Sequence, residues 1–349
     1  FHGAFPRQRA LFVDGQLAGA VSTWRHESDL RAFVDYMPTA SPYALGGRNR
    51  VLVIGAGDGL EVSNAIAHGA GKVTALELHP AQARRVREQR PATDAAPVHW
   101  VVTDARGYLA RTKERSDLIT IGAGGAFGTA AAGVHSLDED FLHTIDAYEL
   151  YLRRLTDDGI LSVTRWLAGP PREPVRVILT ACEALRRSEP DALPRAMIVV
   201  RSWATATILV KPSGFSQEQV ALFRTWAADR HFDLDWYPGL KDPPPPGFNI
   251  LEAPILYDAA RSGVSGSDSA AAFASEYPFL VSPVPDSRPY THHFLRLNFL
   301  GTLFHSGRAA WLPFAEWGLV ALLATLVLSV ALAALLLLGP VLVRAPREG

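Results

Sequence analysis

Residues 49–80 read NRVLVIGAGDGLEVSNAIAHGAGKVTALELHP, and this stretch decides the fold. Val51 to Ile54 form an apolar, largely β-branched run of the kind found in a strand buried on both faces. Gly55, Gly57 and Gly59 follow, removing side chains where the backbone must turn tightly and approach a ligand. Leu60 to His68 is predicted helical, and Lys72 to Leu78 is a second strand carrying Glu77 near its end. That acid stands about twenty residues beyond the glycines, where a carboxylate can accept hydrogen bonds from both ribose hydroxyls of a nucleoside.

The glycine spacing bears on the kind of nucleoside. A dinucleotide turn is G-x-G-x-x-G with a helix N-terminus facing a pyrophosphate. Here the third glycine comes one residue early, and Asp58 lies inside the turn. A carboxylate at that point repels a pyrophosphate but suits the cationic amino-acid end of S-adenosylmethionine (SAM) or of its decarboxylated form.

Working outward, Arg9 to Trp24 predicts a β-hairpin turning at Asp14-Gly15-Gln16, and Asp29 to Ala44 a helix leading into the first strand of the nucleoside fold. Beyond Glu77 the expected order is helix Ala81 to Arg90, strand Val98 to Thr103, helix Ala105 to Arg111 and strand Asp117 to Ile121. A long helix from Asp138 to Leu155 then stops at Gly159, and Ile160 to Trp166 is a fifth strand. In that reading Asp138, Glu139 and Asp140 complement the helix N-terminal dipole. Helix Glu173 to Arg187, strands Ala196 to Arg201 and Ala204 to Val210, and helix Ser216 to Arg230 complete the pattern, while Ser262 to Ser269 reads as flexible. Strands alternating with helices, closed by two consecutive strands, predict an α/β Rossmann-like sheet of seven strands, mainly parallel.

Composition narrows the function. The 349 residues allow one large or two modest domains, and a formal net charge of -1 gives no global basic field for nucleic acid. A single cysteine, Cys182, excludes an internal disulfide framework, and the scattered histidines suggest no metal site. Trp317 to Leu338 is an uncharged apolar run long enough to cross a lipid bilayer, with Trp311 and Trp317 as interfacial aromatics and Arg344 and Arg347 beyond its end. With Phe1 in place of methionine, the chain reads as a segment of a longer membrane protein with further transmembrane helices.

The ordered set GAGDG, Glu77, TDAR at 103–106 and DLITIG at 117–122 resembles the spermidine synthase (polyamine aminopropyltransferase) family. It is more similar still to the bacterial branch in which that domain, with its class I methyltransferase-like fold, is embedded among transmembrane helices. The N-terminal hairpin, the stretch 130–166 and PDSRPYTHHFLR at 285–296 carry this second likeness, which covers about Ala10 to Arg296. The organisation it implies is a hairpin and lead-in unit over 1–46, a nucleoside-binding domain over 47–296 and a membrane segment over 297–349. It also implies a bacterial inner membrane; the nucleoside domain is expected on the cytoplasmic side, where SAM-type cofactors are made, although Arg344 and Arg347 after the helix favour the opposite orientation.

Residue by residue, the resemblance implies that Gly55, Ala56, Gly57, Asp58 and Gly59 hold the amino-acid part of SAM or decarboxylated SAM. Glu77 and Leu78 would meet the ribose, Asp104 the adenine amino group and the Ala105 amide a ring nitrogen. The implied reaction is aminopropyl transfer to an amine, as in polyamine biosynthesis. Alternatives are a SAM-dependent methyltransferase of a small or membrane-associated acceptor and a non-catalytic nucleoside-binding regulatory domain. The family's two acids after the fourth strand fall on Gly122 and Gly125 here, so its catalytic base has no counterpart. Its aromatic–His–Glu pattern is not recognisable, although His26, Glu27 and Tyr36 lie in that region. Asp286, Arg288 and Tyr290 are candidates for the substrate side, and the glycine-rich stretch 122–133 for a lid.

Overall fold

A computed structural model describes residues 5–13, 15–24, 27–89, 98–124, 136–245, 247–249, 251–296 and 317–338. The expected α/β architecture is present. Strands β3 (Arg50–Ile54), β4 (Lys72–Glu77), β5 (Val98–Val102), β6 (Ser116–Ile121), β7 (Leu155–Trp166), β8 (Met197–Arg201), β9 (Thr205–Val210) and β10 (Asp233–Trp236) make one sheet. Its order is β10-β8-β9-β7-β6-β3-β4-β5. Strands β5, β4, β3, β6 and β7 run parallel, and β9 pairs antiparallel with both β7 and β8. This is the Rossmann-like, methyltransferase-type arrangement, with a reversal of strand order beside β3.

Side chains alternate across each strand and so feed two cores. Leu52, Ile54, Leu76, Ile119 and Ile121 face one side, packed with Tyr148, Tyr151, Ile178 and Leu256. Val51, Val53, Val73, Leu118 and Ile198 face the other, against Val62, Ile66 and Phe223. Each fully buried Val, Leu or Ile stabilises the fold by about 1.5–3 kcal/mol relative to exposure. The helices that supply these faces are α2 (Leu60–Ala67) and α7 (Gln217–Asp229) on one side. On the other are α4 (Ala105–Arg111), α5 (Ile145–Arg153), α6 (Glu173–Ser188), α8 (Ile255–Ser265) and α9 (Ser267–Glu276).

Four expectations change. The sheet has an eighth strand, β10, whose Leu234 and Trp236 pair beside β8 while Asp233 and Asp235 face Arg201 at 3.3 and 2.8 Å. Asp29 to Ala44 is not one helix. Helix α1 covers Glu27–Val34, and a 3-10 segment covers Pro38–Leu45. Pro38 disfavours a helical Met37, which is extended at φ -115, ψ 140. The helix expected from Asp138 is confined to Ile145–Arg153, with Thr144 accepting from the Ala147 amide at 3.2 Å. The Asp140 and Ile145 amides instead donate to the carbonyls of Pro289 and Val284, so a late loop captures the backbone ahead of the helix. Ser262 to Ser269, read as flexible, lies in α8 and α9, which meet at Gly266 with φ +142.

Ahead of the sheet, β1 (Arg7–Val13) and β2 (Gln16–Thr23) form a separate antiparallel ribbon with a bulge between Leu11 and Phe12. Asp35, at the end of α1, joins three segments. It accepts from Arg230 beyond α7 through both its carbonyl and its carboxylate, and faces His68 Nε2 at 3.4 Å. Helix α3 (Pro80–Gln89) follows β4, and α10 (Trp317–Ala333) continues to Leu338. Within it, Val320–Leu338 is long and apolar enough to cross a membrane, with Val327, Leu335 and Leu337 largely exposed. Trp311, Arg344 and Arg347 lie outside the described residues.

Candidate functional site

The carboxyl ends of β3, β4 and β6 open onto a cavity of about 810 Å³. It stands at the reversal of strand order, the place where open α/β sheets bind ligands. The β1–β2 ribbon closes it from above through Gln8, Ala10, Leu17, Gly19 and Ser22, and Phe33, Met37 and Pro38 add an apolar wall.

The glycine turn is fixed by backbone strain that only glycine tolerates. Gly55, Gly57 and Gly59 have φ of +64, +49 and +81. The Ala56 amide donates to the Leu76 carbonyl at 2.9 Å and the Gly59 amide to Ala56 at 2.7 Å. A Cβ on Gly59 would lie 2.5 Å from Val86 Cγ1 of α3, so this glycine also lets the turn pack on that helix. Glu77 clasps the turn: Gly57 donates to its Oε2 at 2.8 Å and His79 to its Oε1 at 3.0 Å. Each carboxylate oxygen retains a lone pair for a further donor.

Asp58 accepts from the Leu60 amide at 3.0 Å, and its Oδ2 lies 3.1 Å from where a Gly19 Cβ would stand. A side chain at residue 19 would crowd it, so the glycine lets the ribbon lie close over Asp58. Burial pushes the Asp58 carboxyl above its usual range, against the amides of Leu60 and Ala20 that favour its charge.

Glu61, in the first turn of α2, is buried and lines the same cavity. Thr39 donates to Oε1, and Thr120 near the end of β6 to Oε2 at 3.0 Å. Burial raises its pKa to about 7; the two hydroxyls oppose the shift and the charge of Asp58 adds to it. Its Cγ lies 3.3 Å from where a Gly122 Cβ would stand. Arg165 holds the adjoining backbone, donating to the carbonyls of Gly122 at 2.8 Å and Ala123 at 3.2 Å, and Trp166 Nε1 donates to Gly124 at 3.0 Å.

Of the residues chosen from sequence, Gly55, Ala56, Gly57, Asp58 and Glu77 line this cavity together. Gly59 faces α3 instead, and Leu78 is largely exposed. Asp104 and Ala105 lie outside the lining at the end of β5, where Asp104 caps α4 by accepting from the Gly107 amide at 2.6 Å. Gly122 lines the cavity; Gly125 and most of the stretch read as a lid lie outside the described residues.

The substrate-side candidates are elsewhere. Asp286 is clamped by Arg106 at 3.1 and 2.8 Å and by Thr144 at 2.5 Å. Burial would push its carboxyl up, but those donors outweigh it and lower the pKa. Arg288 and Tyr290 are exposed, and none of the three lines the cavity. The structure places all three outside this cavity: the segment 285–296 pins α4 and α5, and its carbonyls at Tyr290, Thr291 and His293 accept from the buried Arg176 of α6.

Sequence reasoning missed Glu61, Thr39, Thr120 and Trp166. For Glu61 a signal existed. It falls four residues before Ala65 on the stripe of α2 that also buries Val62 and Ile66, an acid on an otherwise apolar face.

No protein-family model matches the chain, and no curated protein matches it. Among solved structures it is similar to spermidine synthase from Thermotoga maritima, with TM-score 0.40 and 17% identity over 61% of this chain and 66% of that one. A probable spermidine synthase from Corynebacterium glutamicum gives TM-score 0.44 and 15% identity over 63% and 79%. A SAM-dependent methyltransferase from Agrobacterium tumefaciens gives 0.38 and 15% over 60% and 72%. Likenesses at these values assign neither ligand nor activity to this chain.

Proposed function

We propose that the chain binds a SAM-type nucleoside, SAM or decarboxylated SAM, and transfers an alkyl group from it to a small acceptor. The observation that carries this reading is the Glu77 clasp, a strand-end carboxylate facing the same cavity as the glycine turn at the reversal of strand order. Glu77 would accept from the ribose hydroxyls through its remaining lone pairs. Gly55 and Gly57 leave room for the ligand to lie against the backbone, and Asp58 would face its ammonium. Asp104, exposed at the end of the next strand, is the resemblance's candidate for the adenine amino group. The nucleoside supplies an alkyl carbon on a positively charged sulfur, and the protein supplies orientation and a water-poor enclosure.

Aminopropyl transfer to an amine is the first reading, in keeping with the spermidine synthase-like order of motifs. Methyl transfer from SAM is the second, favoured by the glycine at position 122, where the aminopropyltransferase pattern calls for an acid. Calorimetry with SAM, decarboxylated SAM and methylthioadenosine tests the ligand, and a preference for decarboxylated SAM favours the first reading. Tighter binding of a nicotinamide dinucleotide would overturn both, and absence of product from putrescine and decarboxylated SAM would remove the first.

Val320–Leu338 is proposed to span a bilayer with the nucleoside domain on the cytoplasmic side, where such nucleosides are made. Protease protection in oriented vesicles tests the placement. Cleavage of the domain only from the outer face would defeat it.

A further inference from the structure

Glu61 has no part in binding the nucleoside as set out above, yet it is the carboxylate built most deliberately into the cavity. Its two oxygens are held by hydroxyls from different elements, Thr39 of the 3-10 segment and Thr120 of β6. Its side chain passes beneath Gly122, where any larger residue would crowd its Cγ. A buried acid is retained against a solvation cost of several kcal/mol per ion, which apolar residues of the same shape would avoid. It faces a space whose walls include Leu17, Phe33, Met37 and Trp166, with Asp58 and Glu77 on the side of the glycine turn.

We propose that Glu61 is the acceptor-side catalytic carboxylate of this site, and that the acceptor is a monoamine with an apolar body rather than a diamine. This rests on the reading of the cavity as a SAM-type site. In the transfer the amine nitrogen forms a bond to the alkyl carbon and the carbon–sulfur pair returns to sulfur. The nitrogen's proton passes to Glu61, leaving a neutral thioether and a protonated carboxyl. The acid is supplied by α2, against Gly122 just beyond the end of β6. With Asp58 assigned to the nucleoside's ammonium and Glu77 to its ribose, Glu61 is the lining carboxylate left for the acceptor, and it satisfies one ammonium. A second ammonium buried there would lack a partner.

The facing groups set the pH behaviour. Asp58 on the turn adds negative charge, the phenol of Tyr43 stands on the 3-10 side, and Thr39 and Thr120 donate. Glu61, with its pKa about 7, is therefore partly protonated at neutral pH, and a bound ammonium would ionise it.

The test is calorimetric titration of the full chain with hexylamine, with and without methylthioadenosine, in two buffers of different ionisation enthalpy at pH 7. Expected are net proton release on amine binding and tighter binding of hexylamine than of putrescine. In Glu61→Gln the proton release should vanish and amine affinity fall at least about tenfold, with methylthioadenosine binding kept within about twofold. Should that variant not fold, Gly122→Ala, which pushes the Glu61 stem aside, should weaken the amine in the same way. Unchanged amine affinity in the variant, no amine binding to the native chain, or tighter binding of putrescine would overturn the proposal. So would a variant that loses SAM affinity but keeps hexylamine, because Glu61 would then serve the nucleoside's own ammonium. If methylthioadenosine fails to bind the native chain, the SAM reading falls, while the amine titration still decides the role of Glu61.

Discussion

The Gly57 amide and the Glu77 carboxylate meet at 2.8 Å, joining the turn after one strand to the end of its neighbour. The contact makes the glycine turn and the acid proposed for the ribose a single unit, so a change in one is felt by both. Glu77→Ala should reduce affinity for methylthioadenosine by about 10- to 100-fold, the worth of one or two hydrogen bonds to a charged group. Glu77→Gln, which still accepts from Gly57, should lose less. Calorimetry on the three proteins checks the order, and equal affinity in all three would remove Glu77 from the site.

The glycines separate into two mechanisms. Gly55→Ala meets no atom within 4 Å and should cost only the left-handed backbone penalty, about 1–2 kcal/mol. Gly59→Ala adds a clash with Val86 and should cost more, about 3 kcal/mol in total. Urea unfolding measures both. Val86→Ala in the Gly59→Ala background should recover part of the loss, giving a coupling of about 1 kcal/mol in a double-mutant cycle.

Removing the Arg106–Asp286 clamp should affect stability and spare the ligand. Asp286→Asn is expected to lower unfolding free energy by about 1 kcal/mol, discounted for the partial exposure of the pair, with nucleoside affinity unchanged. The folded-state pKa of Asp286 lies below its unfolded value. Its contribution is therefore complete above about pH 4 and disappears as pH falls through the folded value. A variant with native stability but weakened ligand binding would return Asp286 to the substrate side.

Glu61 predicts the opposite slope. Its folded pKa of about 7 exceeds the unfolded value near 4.5, so the folded chain binds more protons between those limits. Stability should fall as pH rises through this window, by at most about 3 kcal/mol for this group. Glu61→Gln should lack the slope and be the more stable protein at pH 8. Denaturant midpoints of the two proteins, compared at pH 5 and pH 8, check the sign.

The sheet was legible because its signals are local. Val51 to Ile54, Glu77, Asp117 to Ile121 and the paired strands at 197–210 announce themselves within a few residues. Strand β10 was not, since two of its four residues are acids whose partner, Arg201, lies 32 residues away from the nearer one. The segment 138–144 has helical composition, but the Asp140 and Ile145 amides are taken by the carbonyls of Pro289 and Val284, a choice made in three dimensions. The cradle half of the site could be read from glycine spacing. The acceptor half could not, because Thr39, Glu61, Thr120 and Trp166 come from four separate elements, and their convergence exists only after the sheet has formed.

Val320–Leu338 should associate the chain with neutral phosphatidylcholine vesicles. Val327→Arg, at an exposed position near the middle of that run, should reduce the fraction that floats with them. Equal flotation of both proteins would remove the bilayer from this account.

The ribbon above Asp58 has a further consequence. Two strands paired only with each other are marginal in water, and this pair rests its inner face on the cavity it covers. Filling the cavity should give the ribbon a floor, so that occupancy and ribbon order rise and fall together. A measured dissociation constant would then contain the entropy of ordering β1 and β2. Hydrogen exchange at those amides should slow when ligand is added, and a substitution that stiffens the ribbon should tighten binding although it touches no ligand atom.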